Sequence, residues 1–100
     1  MSASGIPIIK ALTLASEETG TIDFGQVISY VCIRNSGANT TYMAVGDTAP
    51  PASVGNGRVA LLMNQPLVMD GVALQELSFS QASGETAVIE AIGYPVMSAR

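Results

Sequence analysis

The sequence predicts an all-β protein: a small, single-domain antiparallel β-sandwich, jelly-roll-like, with an extended N-terminal arm. Three observations lead there. Short runs rich in β-branched and apolar residues recur roughly every ten residues, separated by clusters of Gly, Asn, Ser and Pro, which is the rhythm of sandwiches and barrels. The chain has 100 residues, 48% of them apolar and 12% charged, which suits one packed core and not a disordered acidic segment. Residues Leu74 to Gln81 alternate with a period of two, with Leu77 and Phe79 to one side and Glu76, Ser78 and Ser80 to the other.

Taken in order, residues 1–18 read as an arm or edge segment. Ile8, Ile9, Leu12 and Ala15 fit a helical stripe, whereas Leu12 and Leu14 fit strand alternation. The sandwich domain is placed at residues 19–97. Thr19 to Phe24 is a first strand closed by Gly25. Val27 to Arg34 is apolar on both sides, with Val27, Val31 and Ile33 on one and Ile28, Tyr30 and Cys32 on the other. A strand covered by a second sheet on one side and by another subunit on the other has this composition. Asn35-Ser-Gly37 and Asn39 mark a turn, because Asn and Gly accept positive φ at little cost. Thr40 to Val45 resumes as a strand.

Asp47 to Arg58, with Pro50, Pro51, Gly55 and Gly57, can neither form a helix nor pair in a ladder and is expected to be a surface loop. Val59 to Met63 and Leu67 to Met69 are short apolar runs around Asn64-Gln-Pro66. Asp70-Gly71 carries a hairpin-turn signal. Leu74 to Gln81 is a strand, Ser83-Gly84-Glu85 a turn, and Thr86 to Tyr94 the closing strand before Pro95.

The inventory of side chains excludes most chemistry. There is no His, no Trp and one Cys, so a zinc site within one chain is not expected, and Ser or Cys nucleophiles lack a base other than Lys10. The carboxylates are scattered apart from Glu17-Glu18; Glu76 and Glu90, expected on neighbouring strands, are candidates for a catalytic pair, but such outward carboxylates ordinarily keep strands soluble. Gly55-Asn-Gly57 lacks the Lys and following helix of a phosphate loop. Four basic residues against eight acidic ones, a net charge of −4, cannot follow a phosphate backbone. The five aromatic side chains are expected to fill the core. No enzyme activity, cofactor, metal, nucleic acid or small-molecule substrate is expected, and a ligand-enclosing barrel would need more chain.

No window approaches the roughly 20 apolar residues of a bilayer-spanning helix, and Pro7 and Lys10 interrupt what would have to be a secretory leader. Asn39-Thr-Thr41 matches a glycosylation sequon, which without a secretory route is incidental. Cys32, among β-branched residues, is expected to be a small buried hydrophobe.

The stretch Val31 to Gly46, a strand, an Asn-x-Gly-x-Asn turn and a second strand, is followed by Leu61-Leu62, Leu67-Val-Met-Asp-Gly71, Leu74 to Ser80, Ser83-Gly84 and Val88 to Tyr94. This succession, from Val27 to Pro95, resembles the small all-β structural proteins of tailed bacteriophages, although Asn64-Gln-Pro66 stands where those proteins usually carry a Pro-Gly turn. The resemblance implies a virion structural protein, above all a capsid decoration (cement) subunit on the head surface, made in the host cytoplasm. Its partners would be further copies of itself, typically as a homotrimer, and a major capsid protein. The alternative it implies is a tail or fibre module that binds a host-surface receptor or carbohydrate. On this reading the irregular, weakly charged segments Gly5 to Leu14 and Asp47 to Arg58 are the candidates for gripping a capsid. Their contact residues would be Ile6, Ile8, Ile9, Leu12, Pro50, Pro51, Val54 and Arg58. Val27 to Ile33 and Val59 to Met69, with Met43, Met63 and Met69, are candidates for core or subunit contacts.

Overall fold

The computed structural model of the protein describes residues 6–95. It contains six strands: β1 (Ile8–Leu14), β2 (Thr19–Asn35), β3 (Thr41–Val45), β4 (Val59–Leu61), β5 (Leu67–Ser80) and β6 (Ala87–Pro95). They form one antiparallel sheet in the order β1-β6-β2-β5-β3-β4, and no helix occurs among the described residues. The all-β antiparallel class expected from the sequence is therefore what the chain adopts. Residues 1–5 of the expected arm and 96–97 of the expected domain lie outside the described residues.

Two glycines that read as chain breaks in the sequence lie inside strands. Gly25 (φ 79°) does not end the first strand, and Gly71 (φ 72°) does not close a hairpin. Both sit where the β2–β5 register slips, between Asp23 and Ile28 and between Ile28 and Tyr30. A positive φ lets a strand take an extra residue and bend without leaving the ladder, and glycine does so without a Cβ clash. The expected pairs of strands, 19–24 with 27–34 and 67–69 with 74–81, are thus each one long bent strand.

The slips also decide which side chains face inward. Along β2, Ile22, Phe24 and Ile28 point to the core, and then the parity changes, so that Val31, Ile33 and Asn35 do. The expected partition of Val27 to Arg34 is corrected accordingly. Ile28 joins Val31 and Ile33 on the inner side, while Tyr30, Cys32 and Arg34 face outward. Cys32 is half-buried on the outer side, not a core residue. In β5 the inward set shifts twice, from Leu67 and Met69 to Val72 and Leu74 and then to Leu77 and Phe79.

Because the two long strands bend, β6 and β1 extend the sheet beside Ile28–Asn35, while β3 and β4 extend it beside Leu77–Ser80. The sheet wraps over one core in which Phe79, Leu77, Ile33, Ile89 and Ile28 are fully buried. Gly20 and Gly93 permit the close approach: an added Cβ would lie 3.0 Å from Leu12 Cδ2 at Gly20 and 2.9 Å from Phe24 Cε1 at Gly93. Of the two readings of the N-terminal segment, the edge strand is the one present: Ile8 to Leu14 pair in register with Gly93 to Ala87, and Leu14 is buried. Val59 to Met63 shortens to a strand at Val59–Leu61, with Met63 bridging in parallel to Asn35. Of the methionines named as candidates for core or subunit contacts, Met43 is buried, Met69 packs against the core and Met63 is exposed.

Candidate interaction surface

The parity change in β2 builds the outer face. Past it, Tyr30, Cys32 and Arg34 turn away from the core, and β6 beside them alternates without interruption, with Val88, Glu90, Ile92 and Tyr94 outward. The register then sets Ile9 opposite Ile92, Ile92 opposite Cys32 and Cys32 opposite Val68. One row of four apolar side chains crosses four strands, about 14 Å from end to end at ordinary strand spacing. Ile9 is 70% exposed, Val68 51% and Ile92 38%.

The rows on either side are polar and aromatic. On one, Arg34 Nη2 and Nε donate to Glu90 Oε1 at 2.6 and 3.2 Å. The hydrogen bond and the negative charge of Glu90 hold the Arg34 guanidinium above its ordinary pKa. Both side chains are exposed, so this pair adds little stability and serves mainly to pattern charge on the face. On the other row, the rings of Tyr30 and Tyr94 meet edge to face with centroids 5.7 Å apart. A half-open groove of about 390 Å³ runs across the face, lined by Ile9, Cys32, Arg34, Pro66, Glu90 and Ile92. Its open shape admits protruding side chains from a partner surface more readily than it would enclose a small molecule.

The free edge of the sheet at β1 is guarded. Lys10 shares the parity of Leu12 and Leu14, which face the core, yet it is exposed. A charge on the inward parity of an edge strand opposes strand addition at β1.

The second surface is the loop Asp47 to Arg58. Ser78 Oγ donates to Gly46 O at 2.7 Å and Ser80 Oγ donates to Pro50 O, which ties the loop's first half to β5. Arg58 ties the second half: Nε donates to Ser53 O at 2.5 Å, Nη2 to Val54 O at 3.2 Å and Nη1 to Asn56 O at 3.4 Å. Its guanidinium is spent on its own loop. Pro51 and Val54 stand clear of this frame, Val54 82% exposed.

The expected contact residues therefore divide. Ile6 (85% exposed), Ile9, Pro51 and Val54 are displayed to solvent. Ile8 and Leu12 pack against the core, Pro50 is buried, and Arg58 orders the loop. The two segments belong to opposite ends of the strand order. Sequence reasoning missed Ile92 and took Cys32 for a core residue; it included Val68 only within the run Val59 to Met69 named for core or subunit contacts, and the doubly apolar composition of Val27 to Ile33 was the clearest signal of an outer face. Glu76 and Glu90 are not on neighbouring strands, since β2 lies between β5 and β6, and Glu90 is engaged by Arg34. Among the described residues there is no group of three or more His, Cys, Asp or Glu side chains that could hold a metal ion, and no helix long and apolar enough to cross a membrane. No family model matches the chain, and no curated protein or solved structure matches it.

Proposed function

We propose that the protein is a virion structural subunit that decorates and stabilises the head of a tailed bacteriophage, gripping the capsid lattice through the loop at 47–58. The observation that carries this reading is the clamped loop, in which Arg58 and Ser80 fix the backbone while Pro51 and Val54 are held out as an apolar tip. A segment ordered in advance loses little entropy when it docks, which is what a small subunit needs to bind through a short contact. A single antiparallel sheet bent over one core suits a small structural subunit, and the resemblance across Val27 to Pro95 points the same way. Ile6 adds a second apolar contact beside β1. Capsid protein and further copies of the chain are the partners.

The test is co-sedimentation of the purified protein with heads of the source phage stripped of it. Saturable binding is expected, with heads that resist heat better when decorated. Val54→Asp weakens binding at least tenfold and Arg58→Ala weakens it less, because the tip remains but its frame is loosened. Absence of binding, or binding indifferent to Val54→Asp, overturns the reading. Attachment to host cells instead of heads would favour a receptor-binding tail module.

A further inference from the structure

We propose that the outward face of β1, β6, β2 and β5 binds a second copy of itself about a two-fold axis that runs along the strands, between β2 and β6. The inference does not depend on attachment to a capsid. It rests on the pattern of the face. A rotation about that axis exchanges β2 with β6 and β1 with β5 while keeping every row of side chains in its own row. Arg34 then lies over the second copy's Glu90, and Glu90 over the second copy's Arg34. Cys32 meets Ile92, Tyr30 meets Tyr94, and Ile9, the most protruding side chain of the central row, falls at the Pro66–Val68 end of the opposing groove. A symmetric pair needs a patch that is complementary to itself, and this one is.

Charge selects this axis. The whole chain carries −4, yet Arg34 and Glu90 cancel within their row. A two-fold axis across the strands would instead set Glu90 over a tyrosine ring and leave its carboxylate facing the aromatic row. The axis along the strands turns two surface ion pairs into a ring of four alternating charges. Asp70, opposite Tyr30 on the β5 side, stays at the margin in water.

The size of the face sets the strength. Its exposed apolar side chains make a patch of on the order of 400 Å², the range in which a patch on a single chain marks an interaction site. Two such faces bury roughly 900 Å² in all, below the usual size of a stable interface, so association is expected in the micromolar range. The two sheets would pack about 10 Å apart with their strands nearly aligned.

The experiment is sedimentation equilibrium of the full chain over a concentration series, together with R34E and E90R. The mass is expected to rise from 10.3 kDa to twice that value. Each variant alone should dimerise at least tenfold more weakly, with an unchanged circular dichroism spectrum because the pair is exposed. An equimolar mixture of the two should recover dimer, since the acidic pair of one then faces the basic pair of the other. Independently, a short bis-maleimide should couple two unmodified chains through Cys32, which lies on β2, a strand flanking the axis. A mass that stays at 10.3 kDa, a trimer, or a mixture of R34E and E90R that recovers no dimer overturns the proposal; so does a wild-type dimer that Cys32 does not cross-link.

Discussion

Asn35 is wholly buried at the end of β2, and its side chain holds three pieces of chain together. Its Nδ2 donates to Leu61 O at 3.1 Å and to Asn39 O at 2.5 Å, while its Oδ1 accepts from Gly37 N at 3.0 Å. The strand, the turn after it and β4 are joined at this one residue. Asn35→Ala leaves buried backbone groups without partners and is expected to lower stability by about 2–4 kcal/mol, read as a lower urea midpoint at unchanged m. Gly37, beside it, was expected to serve the turn through positive φ. The structure instead needs it for proximity, because a Cβ there would lie 2.7 Å from Ala87 Cα and Val88 N. A neighbouring network, Thr41 Oγ1 to Gln81 Oε1 at 2.7 Å and Gln81 Nε2 to Thr40 O at 3.0 Å, satisfies the polar groups buried under β3.

Among the elements, β2 and β5 carry the architecture, and their bulges rank above any single contact. Gly71 has no atom within 4 Å of where a Cβ would stand, so Gly71→Ala tests backbone conformation alone. It is expected to cost about 1–2 kcal/mol, seen in thermal unfolding, from forcing a left-handed φ on an L-residue. β1 is equally part of the fold, since Leu14 is buried and Leu12 packs over Gly20. Removing residues 2–14 takes away an edge strand and a core side chain, and should unfold the protein or lower its melting temperature sharply. Removing only residues 2–7 leaves β1 whole. That shorter deletion should preserve the melting temperature while weakening head attachment through the loss of Ile6.

At the scale of the molecule, the chain is elongated, 49 by 23 by 19 Å, and its two display surfaces lie on different strands. The clamped loop hangs between β3 and β4, and the apolar row crosses β1, β6, β2 and β5. Separated groups act independently, so Val54→Asp should leave self-association untouched. Self-association, unlike loop docking, should weaken as salt screens the charge ring.

Composition and periodicity by themselves determined that this chain is all-β with one core. They also placed the loop at 47–58 and marked Val27 to Ile33 as apolar on both sides. Those are local properties, written in residue types a few positions apart. The tertiary structure alone decided that Gly25 and Gly71 bend strands instead of ending them, and with that the parity of every side chain beyond them. Cys32 was therefore misplaced, because a slip of one residue sends each following side chain to the opposite face. The row from Ile9 to Val68 could not be read from the chain either: its members lie on four strands whose register is set by pairing across the sheet.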